Sequence, residues 1–219
     1  MTAAGPGATV ALDAYGGDAG PELVMEGAAL AAADGVAVRV FGPASLPPHA
    51  GVAVEPCDRW IDNESDPVAA VRSTPEASVV RAAAEVAAGR ASGLVSAGST
   101  GATMTAALFA LKRLHGVQRP ALAVQVPRPN AGRSAPPVLL LDAGANTEAR
   151  SQHLIQFAYL GSAFSRTVLA IAAPRVALLS VGEEQRKGNP EVIDAHQSLS
   201  DSGELDFVGN VEGRDLLSG

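Results

Sequence analysis

The chain has 219 residues, 47% of them hydrophobic but only 4% aromatic, and a formal net charge of −7. This allows a core built from Ala, Val and Leu, suited to close packing of helices on a sheet, in one large domain or two small ones. The acidic balance leaves no basic stripe for nucleic acid, and a single cysteine, Cys57, excludes an internal disulfide or Cys-based zinc site and suits a reducing cytoplasm.

Residues 1–7 (MTAAGPG) read as a flexible tail without the charged and apolar regions of a signal peptide. Thr9–Leu12 reads as a buried strand, followed by a helix over Pro21–Ala33, with proline in the favoured first turn. A strand is expected at Val36–Phe41. Residues 42–67, with their prolines and acidic side chains, read as loop around one short strand near Val52–Val54. Glu76–Arg90 carries the helical period, with apolar positions at 79, 80, 83, 86 and 87. Then come a strand at Gly93–Ala97, a helix at Gly101–His115, and strands at Ala121–Val126 and Val138–Asp142. A helix at His153–Ala170, a strand at Val176–Val181, a helix at Glu191–Leu199 and a strand starting at Phe207 and Val208 complete the pattern. No uninterrupted apolar run reaches the roughly 18 residues of a membrane span. Alternation of strands and helices predicts a single α/β domain over 8–219, with a mostly parallel sheet covered on both faces. Ligands in such sheets sit at the carboxyl ends of the strands.

Four strand-to-helix loops stand out. In DAYGGD, Gly16 and Gly17 permit close approach of a ligand to the backbone, while Asp13 and Asp18 serve equally well to shape a tight turn. In SAGSTGA, Ser96, Gly98, Ser99, Thr100 and Gly101 offer small residues, hydroxyls and a helix N-terminus, which together suit an anion. The spacing from Gly93 to Thr100 approaches a P-loop, but Ser99 stands where the lysine belongs, which argues against a nucleoside triphosphate. In LLLDAGANTEA, Asp142, Gly144 and Asn146 reach one sheet edge; Asp142 suits a base or a structural carboxylate equally. In LLSVGEEQRKGN, Glu183 precedes Lys187 and Gly188, and Lys187 is a compact charge for an anion or else part of a solvated turn. His49, His115, His153 and His196 have no ligand spacing, so no metal is expected. Motifs for serine hydrolases, zinc peptidases and dinucleotide binding are absent.

These loops, in this order, resemble the PlsX family of acyl-carrier-protein:phosphate acyltransferases. The matching segments are LDAYGGD, SAGSTGA, GVQRPALA, LLLDAGAN, HLIQFAYLGS, PRVALLSVGEEQRKGN and FVGNVEGRDLLSG. The resemblance implies a three-layer α/β/α fold like the isocitrate and isopropylmalate dehydrogenases, in a cytoplasmic homodimer without metal, nucleotide or other cofactor. It implies conversion of acyl-ACP and inorganic phosphate into acyl phosphate and ACP, for phospholipid synthesis by a membrane glycerol-3-phosphate acyltransferase. Family members usually have Asn where this chain has Ser99 and Ser180, and a Lys-rich patch where it has Arg72–Pro75. They continue past the last segment with elements associated with dimerisation and peripheral membrane contact, so a C-terminally incomplete domain is expected.

Phosphate, with a second pKa of roughly 7, is already a nucleophile. The expected site binds it through the Ser96–Gly101 backbone, the Ser99 and Thr100 hydroxyls and Lys187, with Asn146, Asn189 or Asn210 stabilising the oxyanion. Arg72, Arg81, Arg113 and Arg119 are candidates for contact with the acidic carrier. A non-catalytic ACP- or acyl-phosphate-binding paralogue and an acyl-CoA-using phosphotransacetylase-like enzyme are the alternatives.

Overall fold

In the computed structural model, residues 8–129, 135–144, 146 and 148–217 are described; the expected tail at 1–7 lies outside the described residues. The chain divides into two compact units, Met1–Arg113 and Leu114–Gly219.

The first unit is built on four parallel strands: β1 (Thr9–Asp13), β2 (Ala37–Gly42), β3 (Val52–Pro56) and β4 (Gly93–Val95), in the order β3-β2-β1-β4. Its helices are α1 (Pro21–Ala33), α2 (Pro67–Ser73), α3 (Ser78–Ala87) and α4 (Thr100–Leu111). Strand alternation sends successive side chains to opposite faces. Leu12, Val38, Val40, Val52 and Val54 gather with Met25 and Ala28 of α1. Ala11 and Phe41, on the other face, pack with Ala82 of α3. Helices therefore cover both faces, giving three layers. Val71 of α2, Val79 and Ala83 of α3 and Ala106 of α4 join in a further cluster.

Sequence reading missed α2, which is only seven residues long and lies in a stretch dominated by proline and acid. Its start is nevertheless locally coded: Asp66 accepts the Ala69 N–H at 2.7 Å and Pro67 follows at the first helical position. β3 extends to Pro56, beyond the expected Val54. Helix α4 stops at Leu111, short of His115, because Lys112 adopts φ 68°.

The second unit holds β5 (Ala123–Val126) paired antiparallel with β6 (Val138–Leu141), and β7 (Arg175–Leu179) paired parallel with β8 (Asp206–Val211). Its helices are α5 (Ser151–Thr167) and α6 (Pro190–Ser202). The β5–β6 pair is the one departure from parallel pairing among the described strands. Leu178, Ala195 and Leu199 form the buried centre between β7 and α6, with Leu154 and Phe207 against them. The β7–β8 register shifts between Val176 and Leu178, where Gly209 of β8 takes φ 95°. Such a bulge re-aims the residues beside it, and both Phe207 and Asn210 beside it turn inward, Asn210 being 5% exposed.

Candidate functional site

At the carboxyl end of β1, Asp13 is 5% exposed and organises its surroundings. Its carboxylate accepts the Ser78 hydroxyl at 2.5 Å, the Ser96 hydroxyl at 2.8 Å and the Tyr15 N–H at 3.2 Å. Three donors thus converge on one acceptor group. With its proton committed to Asp13, Ser96 Oγ accepts the Gly98 N–H at 3.2 Å. Asp13 thus fixes the loop after β4 through Ser96, and Ser96 is a bracing residue of that loop.

The DAYGGD and SAGSTGA loops meet backbone to backbone. A Cβ on Gly16 would lie 2.6 Å from Ser96 Oγ and 2.7 Å from Gly98 N; one on Gly98 would lie 2.8 Å from Gly16 Cα. These contacts explain why both positions are glycine. Gly17 instead faces Val24 of α1, and Gly101 faces Pro67 of α2, where a Cβ would lie 2.7 Å from the ring.

Ser99 caps α4: its Oγ accepts the Ala102 N–H at 3.3 Å and its carbonyl accepts the Thr103 N–H at 2.9 Å. The first turn of a helix has N–H groups without intrahelical partners. Here those of Thr100 and Gly101 have no acceptor among the described residues, and the Ser99 and Thr100 hydroxyls retain their own hydrogens. A narrow recess of about 20 Å³ adjoins this helix start, lined by Asp13, Gly16, Ser96, Gly98 and Ser99. Trp60 and Tyr15 stack at its edge with ring centroids 5.1 Å apart. Burial, reinforced by the Asp58 carboxylate, raises the Tyr15 phenol above its usual 10.0. The arrangement can hold a small anion on neutral donors and a helix dipole.

In the second unit the predicted residues form two sets. Asp142, with φ 62°, accepts the Asn146 amide at 2.7 Å; the same amide reaches the Pro120 carbonyl at 3.1 Å, and Arg119 donates to Asn146 Oδ1 at 3.3 Å. Gly144, at φ 103°, donates its N–H to the Asp142 carbonyl at 2.8 Å. The other set surrounds the loop after β7. Glu183 pairs with Arg214 at 3.0 Å, both well exposed. The Lys187 N–H donates to the Glu184 carbonyl at 2.9 Å, and Gly188 takes φ 107° close to Ser180 Oγ. Asn189 caps α6 by accepting the Val192 N–H at 3.0 Å. The Asn210 amide donates to the Glu184 carbonyl at 2.9 Å and the Lys187 carbonyl at 3.5 Å.

Of the three asparagines, Asn146 and Asn210 thus commit amide hydrogens to protein oxygens, whereas Asn189 uses its oxygen and its amide hydrogens have no acceptor among the described residues. The candidate docking arginines also have partners: besides Arg119 on Asn146 Oδ1, Arg72 lies over Phe109 at 5.3 Å, and Arg81 lies over Phe41 at 5.4 Å and donates to the Pro56 carbonyl. Sequence reasoning missed Ser78, Tyr15 and Trp60. Ser78 lies 65 residues from Asp13, and no local signal joins them. No group of acidic, His or Cys residues suited to a metal occurs among the described residues, and none of their helices is long and apolar enough to cross a membrane.

A solved structure, a branched-chain phosphotransacylase from Enterococcus faecalis V583, shares the fold with a TM-score of 0.59 at 19% identity, over 94% of this chain and 67% of that one. A phosphate acyltransferase from Nostoc punctiforme is 41% identical over 96% of this chain. Those from Lactococcus lactis subsp. lactis and Bacillus licheniformis are each 42% identical over the same share. The chain spans 64% of the length of each of these three relatives. The family model described as "Fatty acid synthesis protein" matches residues 8–219. By that match and these identities, the chain belongs to this fatty acid synthesis family, the PlsX family that its seven segments resemble.

Proposed function

We propose that the protein forms acyl phosphate from acyl-ACP and inorganic phosphate, supplying phospholipid synthesis. The observation that carries the reading is the Ser99-capped start of α4, with the Thr100 and Gly101 N–H groups in its first turn, next to a recess that Ser99 lines and Asp13 braces. Kinship with phosphate acyltransferases at 41–42% identity supports the same chemistry.

In this reading phosphate sits on the Thr100 and Gly101 N–H groups and takes hydrogen bonds from the Ser99 and Thr100 hydroxyls. Asp13, Gly16, Gly17, Ser96 and Gly98 shape the cradle. A phosphate oxygen attacks the thioester carbonyl, the tetrahedral intermediate collapses, and the carrier thiolate leaves with the electron pair of the C–S bond. Lys187 supplies positive charge for an anionic reactant, in a loop shaped by Glu183 and Gly188. Asn189, whose amide hydrogens have no acceptor among the described residues, is the oxyanion donor best suited among the three asparagines. Asp142, Gly144 and Asn146 hold the loop after β6. The working form is a cytoplasmic homodimer with peripheral membrane contact, and it needs no cofactor.

The test is to incubate the protein with phosphate and either acyl-ACP or acyl-CoA, measuring free thiol and trapping acyl phosphate as a hydroxamate. Thiol and hydroxamate from acyl-ACP are expected in equal amounts. Product from acyl-CoA alone would assign a phosphotransacetylase-like activity. Binding of acyl-ACP without product from either donor would assign a carrier-binding role instead.

A further inference from the structure

We propose that Asn210 is a positioning residue for Lys187, acting from β8 on the loop that carries the lysine. The inference rests on reading Lys187 as an anion-facing charge.

Lys187 is exposed, but its backbone is held from below. The buried Asn210 amide donates to the carbonyls of Glu184 and of Lys187 itself, at 2.9 and 3.5 Å. The Lys187 N–H closes the turn onto the same Glu184 carbonyl at 2.9 Å. One side chain on a strand therefore grips both ends of the turn from Glu184 to Lys187. The bulge at Gly209 accompanies its inward turn.

The other half of the amide sharpens the point. Asn210 Oδ1 is buried without a hydrogen-bond partner among the described residues, as is Ser180 Oγ. The amide is thus oriented for its two carbonyl acceptors while its own oxygen goes unsatisfied. A flipped amide would set oxygen against two carbonyl oxygens, so the donor function defines the orientation. Leaving a buried acceptor unpaired opposes folding; holding the turn is the gain that offsets it.

The experiment titrates inorganic phosphate into the 219-residue chain and follows the Lys187 and Gly188 amide signals by NMR. Asn210→Ala should weaken phosphate binding about five-fold and speed hydrogen exchange at the Lys187 amide. Asn210→Asp should act in the same direction, since a carboxylate offers those carbonyls no donor. Asn210→Ser, which keeps one donor, serves if the alanine variant does not fold, and should give a smaller loss. In a Lys187→Ala background the Asn210 substitution should leave phosphate affinity unchanged. A merely structural role would weaken binding equally in both backgrounds, and that result would overturn the proposal, as would unchanged affinity in Asn210→Ala or Asn210→Ser. If Lys187→Ala by itself leaves phosphate binding intact, the reading of the lysine fails instead.

Discussion

Replacing Asp13 by alanine removes the acceptor for three donors at once: the hydroxyls of Ser78 and Ser96 and the N–H of Tyr15. A hydrogen bond to a charged group contributes about 1.5–3 kcal/mol. The three do not add fully. Tyr15 is only half-buried, so its N–H can recruit water. Deleting the carboxylate also relieves the cost of burying its charge. The net loss should be about 3 kcal/mol. Asp13→Asn keeps the shape and one oxygen but turns an NH₂ toward one hydroxyl, which can rotate to accept; it should cost about 1 kcal/mol. Urea unfolding monitored by tryptophan fluorescence is suited to this measurement. Trp60 is the sole tryptophan and lies in the first unit. With a slope of about 2 kcal/mol/M, the alanine variant should unfold at a urea concentration lower by about 1.5 M. A loss under about 1 kcal/mol in the alanine variant, or an asparagine variant as stable as the unmodified chain, would refute the idea that Asp13 acts as a charged acceptor.

Gly98→Ala places a methyl group 2.8 Å from Gly16 Cα, backbone that cannot swing aside; it should destabilise by about 1–3 kcal/mol in the same assay. Ser99→Ala should cost about 1 kcal/mol through the lost helix cap and weaken phosphate binding, whereas Ser99→Asn should preserve the cap, both read by denaturation and phosphate titration. Glu85 is held below its usual 4.5, chiefly by hydrogen bonding from Arg90 and then by the charges of Arg90 and Arg39. A carboxylate with a lowered folded pKa contributes stability above its unfolded value and loses it as pH falls through the folded one. Glu85→Gln should therefore lower thermal stability at pH 7 and flatten its decline below about pH 4.5. An absorbance titration should find Tyr15 ionising above the usual tyrosine range, with Asp58→Asn bringing it part of the way back.

Much of the fold was legible from periodicity and punctuation. Pro21 and the Ala-rich run after it marked α1, and the Val79, Val80 and Ala83 spacing marked α3 because that helix buries one face on a sheet. The antiparallel β5–β6 pairing was not legible: a four-residue aliphatic run such as Val138–Leu141 reads alike in either direction. The candidate loops could be located because glycine and hydroxyl residues follow strands. Which atoms remain available could not be read, since that depends on distant partners. Ser96 reads as a phosphate donor, but its hydroxyl donates to Asp13, and Asn210 reads as an open amide, but its NH₂ donates to the Glu184 and Lys187 carbonyls.

The abutting glycines have an evolutionary corollary. Gly16 and Gly98 already carry the smallest side chain there is, so a methyl gained at either cannot be compensated by a reduction at the other. Second-site suppressors of Gly16→Ala must instead alter the spacing or twist between β1 and β4, the paired strands that deliver the two loops. Revertant selection should consequently return the original glycine or changes in the sheet beneath it, making this contact a barrier to drift rather than a pair of positions that vary together.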